Sequence, residues 1–480
     1  MNDSIMQKIV GLMLLLFSFT LLIPLIVSFI YSDGNHYTFI YSFIIILGLG
    51  LLLYLPNISA KSDIKIKEGF LIVVLFWFIL SIVGSFPFML DKQLSLTFVD
   101  AFFESVSGWT TTGATIITSL DILSPSILIY RQELQWLGGM GIVILALAIL
   151  PMLGVGGMQL YKAESTGPIK DNKISPRIAE TAQSLWTIYL GLTVICALLY
   201  YIAGMSMFDS IAHSFSTIAI GGFSTHDLSI GYYENSFIEA ICIFFMLISA
   251  LNFILHYMSL SSKSLLCYLR DSEFITYMLM ILGVLIVFVL YITTTGNTNI
   301  LVQDILFQIV SFITTSGFTT TEYDSWPAFM ITTLILISFI GACAGSTGGG
   351  LKVVRVLLLF KLLKKELLKI LHPTAEIPIR INQSPVNDDL SGTLYNFFIF
   401  YIISYLFLSF LLLLSGLDMT TSFSTVASCI NNLGPALGEA VYNYSSLNIF
   451  SKYILVFAMI LGRLEIFTLL IVMTPYFWKY

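Results

Sequence analysis

Four segments of this chain place hydroxyl, amide or small residues and then a glycine directly after a short apolar pattern. The first reads DAFFESVSGWTTTGAT and runs from Asp100 to Thr115. In this copy and two later ones, an aspartate stands thirteen residues before the glycine, giving the pairs Asp100 and Gly113, Asp209 and Gly222, and Asp304 and Gly317. The fourth copy is degenerate, with Thr421 thirteen residues before Gly434 and Asp418 three residues further upstream.

These residue types indicate cation chemistry. Asp or Thr at the start of each pattern is expected to cap a short helix, whose carbonyl end then carries partial negative charge. The glycine that follows can adopt backbone angles that let carbonyl groups face inward. Four such segments around one axis would form a ring of oxygens able to replace the hydration shell of a cation. The competing interpretation is four duplications of a buried helix and turn, which the three identical spacings disfavour.

The elements that must position these segments are membrane-spanning helices. Of the 480 residues, 57% are hydrophobic and 10% are charged, whereas soluble domains carry about 25% charged residues. The composition predicts an all-α polytopic membrane protein with ten transmembrane helices. Their expected ranges are 6–30, 38–56, 69–90, 126–150, 181–205, 236–259, 273–294, 327–350, 392–416 and 447–472. The four glycine segments are too short to cross a bilayer, so they are predicted to be re-entrant pore loops.

The spans and the glycine segments divide the chain into an N-terminal helical hairpin and four pseudo-symmetric repeats around one pore. Each repeat is predicted to read helix, re-entrant loop, helix. The divisions are 1–68 for the hairpin, 69–160 for repeat 1, 161–272 for repeat 2, 273–380 for repeat 3 with a glycine-rich gate, and 381–480 for repeat 4. Irregular backbone at membrane depth is tolerated only where it lines a cavity or is buried in protein, so we expect an aqueous pathway.

Charge placement predicts the orientation. With a cytoplasmic N-terminus, all but four of the 22 Lys and Arg residues fall on the cytoplasmic side, where loops carry such an excess. Ten spans then make the C-terminus cytoplasmic as well. The exceptions are Lys92, Arg131, Lys452 and Arg463. Much of the acid, including Asp100, Glu104, Asp121, Asp209 and Asp304, falls on the opposite side with the glycine segments, and an acidic mouth concentrates cations.

A second glycine cluster interrupts the apolar run 327–350. Consecutive glycines each cost a helix about 1 kcal/mol relative to alanine, so GACAGSTGGGLKV should unwind it. We interpret the break as a mobile gate in the ion path, with a static packing kink as the alternative. Arg463, a charge inside the last apolar run, is predicted to face the pore and contact the break; a snorkelling or lateral structural pair is the alternative. The predicted gate comprises Gly345, Ser346, Thr347, Gly348, Gly349, Gly350, Lys352 and Arg463.

Other chemistries find little support in the sequence. The five cysteines are scattered without a CxxC pair, so neither a metal site nor a disulfide framework is indicated. The GxxxxGK[ST] order of a phosphate-binding loop is absent, and no acidic or His/Cys cluster suggests a membrane enzyme. The net charge of −6 gives no reason to expect nucleic acid. Four lysines among leucines, Lys361, Lys364, Lys365 and Lys369, form a basic amphipathic pattern that suits either anionic lipid or a cytosolic partner.

Several motifs together resemble the transmembrane subunits of Trk-type potassium uptake systems, in the Trk/Ktr/HKT superfamily. They are TTTGAT, LQWLGGMGI, ILPMLGVGGMQLY, STIAIGGFSTHD, TTSGFTT, GACAGSTGGGLKV, NNLGPALG and LGRLEIFTLL. The resemblance implies potassium uptake across the bacterial inner membrane, one pore per subunit, and a pathway obstructed by the broken helix and Arg463. The implied potassium-binding filter comprises Thr111, Thr112, Gly113, Ile220, Gly221, Gly222, Thr315, Ser316, Gly317, Asn432, Leu433 and Gly434.

The resemblance also implies partners and a cargo. It implies a homodimer in the lipid bilayer, controlled by a cytosolic ring of nucleotide-binding subunits that sense ATP/ADP or NAD(H). No such domain lies in this chain, so a partner is expected to bind the nucleotide.

Sodium-permeable relatives often carry serine at the position of Gly113, so glycine favours potassium over the alternative of a sodium or mixed-cation pathway. The fourth copy departs most from the family pattern, because NNLGPA lacks hydroxyls before Gly434. Symport with protons or sodium and passive flux both stay open.

Overall fold

We describe the protein from a computed structural model over residues 3–60, 65–141, 178–296, 300–375, 377–382, 384–385 and 389–479. This part of the chain is almost entirely helical, which confirms the all-α class. Its only strands are β1 Arg380–Ile381 and β2 Ser384–Pro385, paired antiparallel. The predicted boundary between residues 160 and 161 lies outside the described residues, as do four of the Lys and Arg residues assigned to the cytoplasmic side, Lys162, Lys170, Lys173 and Arg177.

Four of the helices, α6, α9, α14 and α18, are short and buried, and we call them the short central helices. They are α6 Phe98–Trp109, α9 Met207–Ala219, α14 Val302–Thr314 and α18 Met419–Asn431. The other helices are α1 Asp3–Thr20, α2 Leu22–Tyr31, α3 His36–Tyr54, α4 Ile66–Gly84, α5 Phe86–Leu90, α7 Pro125–Gly139, α8 Ile178–Ile202, α10 Ser236–Ser249, α11 Phe253–Ser262, α12 Leu266–Arg270, α13 Ser272–Thr295, α15 Ala328–Ile340, α16 Val353–Leu371, α17 Asp389–Leu414, α19 Ile449–Arg463, α20 Phe467–Met473 and α21 Pro475–Lys479.

Several helices are long and apolar enough to cross a membrane. Within the described residues there are six, or up to eight if each bent helix pair counts as one span, so the protein is a multi-pass membrane protein. Two of the ten predicted spans account for the difference between ten and eight. The predicted span 126–150 is described only as far as residue 141, and the span 327–350 is shortened because α15 ends at Ile340.

Two predicted straight spans are bent. The span 236–259 turns by 92° between α10 and α11, where the Asn252 side chain accepts from the backbone of Ile254 and caps the second helix. The span 447–472 turns by 115° between α19 and α20. There Glu465 and Ile466 have φ of +52° and +57°, which a continuing right-handed helix does not allow. Arg463 therefore ends α19 instead of lying inside one long helix.

The short central helices are capped one turn earlier than the sequence suggested. Thr97 and Ser206 are the N-caps of α6 and α9, and their hydroxyl oxygens accept from the backbone N–H groups of Asp100 and Asp209. Each hydroxyl also donates to its aspartate at 2.7 Å. The aspartates thus stand at the third helical position, where their negative charge still favours the helix start. In α18 the order is reversed, because Asp418 is the cap and accepts from the backbone of Thr421.

The buried apolar side chains form two large groups, and each includes two of the short central helices, α6 and α18 in the first group and α9 and α14 in the second. One group joins the N-terminal helices α1 to α7 to the C-terminal helices α17 to α20. The other joins α8 to α15 and includes Leu433, which comes from the segment after α18. The four short helices are therefore part of the packed apolar core.

Candidate functional site

All four short central helices end in the same backbone motif. Two residues before each glycine, a non-glycine residue has a positive φ: Thr111 at +53°, Ile220 at +55°, Thr315 at +65° and Asn432 at +55°. The next N–H donates over 2.9 Å to a serine carbonyl five residues back, pairing Thr112 with Ser107, Gly221 with Ser216, Ser316 with Ser311 and Leu433 with Ser428. This is the Schellman helix end. A β-branched residue such as Ile220 is strained there, and such strain concentrates at functional sites.

The glycines that follow close a ring. Gly113, Gly222, Gly317 and Gly434 have φ of +81°, +80°, +80° and +95°. A Cβ on any of them would lie closer than 3.0 Å to a carbonyl oxygen of another segment. Those oxygens belong, in the same order, to Gly221, Ser316, Leu433 and Thr112. Each segment thus packs against the next, and the fourth packs against the first, so the four segments surround one axis. Only glycine supplies both the backbone angle and the close approach.

The segment after α9 is fastened to α7. The Gln135 side chain donates to the carbonyl of Gly221 at 2.5 Å and accepts from the N–H of Phe223 at 3.0 Å. One turn earlier on α7, the Arg131 guanidinium donates to the carbonyl of Ser224 at 3.1 Å and lies 4.3 Å from the centre of the Phe223 ring. Two buried polar side chains thereby fix backbone groups of Gly221, Phe223 and Ser224.

A buried ion pair supports the first segment. Arg131 Nε donates to Glu104 at 2.8 Å, and both side chains are almost fully buried. Glu104 also accepts from the Thr115 hydroxyl and from the N–H of Ile116, each at 3.0 Å. The sequence placed Glu104 in an acidic mouth, but the structure places it behind the ring with its charge compensated. Asp100 is compensated too, since Lys452 Nζ lies 2.7 Å from its carboxylate.

The fourth segment uses amide and phenol groups where the first and third segments have hydroxyls before the glycine. The Asn432 amide donates to the Thr112 hydroxyl and to the carbonyl of Met459, both at 3.0 Å. The Tyr444 hydroxyl donates to the carbonyl of Gly434 at 2.7 Å. Tyr444 also donates its backbone N–H to the carbonyl of Thr115 at 2.8 Å. This segment, which lacks hydroxyls before its glycine, is therefore held in the ring by the Asn432 amide and by Tyr444, which bond to the first segment, to α19 and to the carbonyl of Gly434.

A non-helical stretch, residues 341–352, lies against the carbonyl ends of the short helices, and we call it the broken segment. The Thr347 hydroxyl donates to the carbonyl of Ile218, the N–H of Gly349 donates to the Thr315 hydroxyl at 2.7 Å, and the N–H of Gly350 donates to the carbonyl of Asn431. The stretch thus contacts the ends of α9, α14 and α18. A Cβ on Gly348 would lie 2.6 Å from the carbonyl of Thr314, so glycine allows this close approach.

Arg463 connects the broken segment to the first short helix. Its guanidinium donates to the carbonyl of Thr347 at 3.0 Å, to the Thr111 hydroxyl at 3.1 Å and to the carbonyl of Gly138 at 2.6 Å. The predicted contact between Arg463 and the break is therefore present. Glu465, two residues after Arg463, pairs with Arg355 at the start of α16.

The remaining residues of the predicted gate brace the broken segment internally or join it to the bend after α10. Lys352 Nζ donates to the carbonyl of Gly348 at 2.5 Å, and the Ser346 hydroxyl donates to the carbonyl of Cys343 at 2.5 Å. The carbonyl of Gly345 accepts from the N–H of Phe253 at the bend between α10 and α11. Glu273 on α13 accepts from the N–H of Ala344 at 2.8 Å. The bends and the broken segment therefore form one connected structure.

His226 joins two loops at the opposite face, where the short helices begin. Its Nδ1 lies 2.5 Å from Asp121 and its Nε2 lies 3.7 Å from Asp209, while its ring stacks on Tyr232 with centroids 3.5 Å apart. Burial lowers the pKa of His226, but the charges of Asp209 and Asp121 and the hydrogen bond to Asp121 outweigh burial and raise it above 6.5. The two carboxylates thereby favour the charged imidazolium.

Comparison with known proteins gives the family. Residues 35–480 match the family model described as TrkH, cation transport protein. The chain belongs to this family. It is 48% identical over 484 residues to the Trk system potassium uptake protein TrkH of Escherichia coli K12, and 46% identical over 481 residues to that of Halomonas elongata, with full coverage of both chains in each case. The crystal structure of the potassium transporter TrkH from Vibrio parahaemolyticus covers the whole of both chains at 44% identity and a TM-score of 0.91.

This TrkH-family chain brings together the residues that its sequence singled out, and several that it did not. The supporting side chains Gln135 and Tyr444 were missed, because nothing in their local sequence distinguishes them from packing residues. Glu104 and Arg131 were noted only for their charge, and their pairing behind the ring was not predicted. One signal was available for the helix ends. A serine stands six residues before all four glycines, including the degenerate fourth copy, at Ser107, Ser216, Ser311 and Ser428.

Proposed function

We propose that this protein takes up potassium across the cell membrane through a filter of backbone carbonyl oxygens. The observation that carries the proposal is the closed ring in which each of the four glycines abuts a carbonyl of the next segment. Carbonyl oxygens on one axis replace the water around a dehydrated cation, and the negative ends of four helix dipoles point the same way. Each repeat would then be helix, re-entrant loop, helix, with the filter residues named from the sequence.

The broken segment would act as the gate of this pathway. It lies at the carbonyl ends of the short helices, directly beyond the ring, and it hydrogen-bonds to three of them. Arg463 ties it to the fourth through Thr111. A cation leaving the ring would meet both the backbone of this stretch and a guanidinium charge. Conduction would require the stretch to move, and its glycines make other backbone conformations accessible.

Regulation would come from outside the chain. We propose a homodimer in the bacterial inner membrane, with cytoplasmic termini, whose gate is moved by a cytosolic ring of nucleotide-binding subunits responding to ATP/ADP or NAD(H). The basic helix α16 follows the broken segment without a gap, so a displacement of α16 by a partner would pull on the gate. Potassium is the cargo in this proposal, and nucleotide binding belongs to the partner.

Ion uptake by the purified protein in sealed vesicles tests the function. We expect rubidium-86 uptake that unlabelled potassium inhibits and sodium inhibits far less, because carbonyl ligands in a filter discriminate between cations by size and field strength. Equal inhibition by sodium would support the alternative, a sodium or mixed monovalent-cation pathway. Applying a proton or sodium gradient to the same vesicles distinguishes symport from passive flux. No cation uptake with or without the regulatory subunits would contradict the proposal.

A further inference from the structure

The second segment of the ring differs from the others at the residue before its ring glycine. The first, third and fourth segments carry Thr112, Ser316 and Leu433 there, whereas the second carries Gly221. Gly221 has no positive φ, so its backbone conformation does not demand glycine. Lack of space requires glycine here, because a Cβ on Gly221 would lie closer than 3.0 Å to the amide of Gln135. The Gln135 amide thus occupies the volume that a side chain fills in the other segments.

Gln135 also binds the backbone on both sides of Gly222. Its Nε2 donates to the carbonyl of Gly221 at 2.5 Å and its Oε1 accepts from the N–H of Phe223 at 3.0 Å. Only this orientation of the amide satisfies both groups, since one is an acceptor and the other a donor. The side chain is fully buried, so neither bond is replaced by water when it is lost.

Because the peptide group is planar, the two hydrogen bonds of Gln135 also fix the direction of a carbonyl oxygen in the proposed filter. The N–H and C=O of one trans peptide point in opposite directions. Because the N–H of Phe223 points at Gln135, the carbonyl of Gly222 points away from Gln135 and from α7. The carbonyl of Gly221 is engaged by Gln135 and abuts Gly113. The orientation of the second segment is therefore set by a residue of α7, which follows the first segment in the chain.

We propose that Gln135 is a positioning residue that fixes the direction of the Gly222 carbonyl and thereby sets the discrimination between potassium and sodium. This rests on the proposed function. Without the two hydrogen bonds of Gln135, the peptide between Gly222 and Phe223 can rotate. A filter with one carbonyl that is free to move then adapts to sodium, the smaller cation. The role is specific to the second segment, because the equivalent position in each other segment carries its own side chain.

Selectivity of purified variants in vesicles tests the proposal, with rubidium-86 uptake inhibited by potassium or by sodium as the readout. We expect Gln135→Leu, which keeps the size but loses both hydrogen bonds, to lower the potassium-to-sodium preference by about tenfold or more. Gln308→Leu is the matched control. Gln308 is equally buried, and within the described residues its amide makes no hydrogen bond. We expect this control to leave the preference unchanged.

A compensating pair keeps the test decisive if Gln135→Leu does not fold. Gln135→Ala should lose selectivity, and Gly221→Ser should lose it by collision with Gln135. Combining the two changes places a side chain in the emptied space, as in the other segments, and should recover part of the preference relative to Gln135→Ala. A wild-type preference that Gln135→Leu retains, or a double variant no better than Gln135→Ala, overturns the positioning role. Absence of potassium preference in the wild type would instead contradict the proposed function.

Discussion

Replacing Arg463 with alanine should release the broken segment. The guanidinium holds the carbonyl of Thr347 at 3.0 Å while also reaching the Thr111 hydroxyl and the carbonyl of Gly138. Among these bonds, the one to Thr347 holds the broken segment, and the one to Thr111 connects Arg463 to the helix end at the ring. In the proposed mechanism, alanine removes the bond to Thr347 together with a positive charge beside the ion path. The same change would then weaken both the hydrogen bond that holds the gate closed and the electrostatic barrier to a cation.

The expected size of the effect follows from the hydrogen bond to Thr347. A hydrogen bond to a charged group contributes about 1.5–3 kcal/mol net, and each ~1.4 kcal/mol changes an equilibrium constant tenfold. Losing this bond alone should therefore raise the open fraction of a mostly closed gate by roughly 10- to 100-fold. Removing the charge adds to this, because a cation beyond the ring no longer meets a fixed positive group.

Basal rubidium-86 uptake, measured in vesicles without regulatory subunits, gives the assay. Arg463→Ala should raise it by at least about tenfold, and Arg463→Lys should raise it less, because lysine keeps the charge but lacks the planar fork. Arg380→Ala, which removes an exposed arginine, is the control and should leave uptake unchanged. Unaltered or reduced uptake by folded Arg463→Ala protein would refute the idea that Arg463 holds the broken segment closed. The broken segment would then be a static packing element.

Three other substitutions probe the ring, its support and its outer face. Gly113→Ser should reduce potassium uptake at least tenfold, since the positive φ alone costs about 1–2 kcal/mol and the new Cβ collides with a neighbouring carbonyl; normal uptake and selectivity would contradict the ring. Glu104→Gln leaves Arg131 buried without its counter-charge and should destabilise the protein by about 3–5 kcal/mol, seen as a lower Tm that a second change, Arg131→Met, partly restores. The raised pKa of His226 stabilises the fold fully below about pH 6.5, and this contribution is lost as pH rises through the raised value; His226→Gln should therefore lower Tm at about pH 5.5 and much less at about pH 9.

The ring could be predicted from the sequence because its requirements fall on single residues. A positive φ beside a neighbouring backbone admits only glycine, so Gly113, Gly222, Gly317 and Gly434 stand out at a fixed distance from a helix start. The break near Gly348 was predictable for a similar reason, since three adjacent glycines cannot sustain a helix. The N-caps were wrong by three residues, because Thr97 or Ser206 and the following aspartate are both good capping residues and the hydrogen bonds decide between them.

The support of the ring could not be predicted, because it depends on which helix faces pack together. Glu104 and Arg131 are 27 residues apart, and their pairing follows from the docking of α6 against α7. Gln135 reads as an ordinary helix residue until the second segment is placed beside it. The bend after Arg463 was missed because positive φ occurs at Glu465 and Ile466, residues that usually continue a helix.

Locating the cargo ion tests the central claim most directly. Crystals of the protein grown with rubidium in place of potassium would show rubidium by its anomalous scattering. The account predicts a peak on the axis enclosed by Gly113, Gly222, Gly317 and Gly434, within ligand distance of carbonyl oxygens from all four segments. Rubidium bound away from that axis, or no bound ion at the ring in protein that transports rubidium, would contradict it.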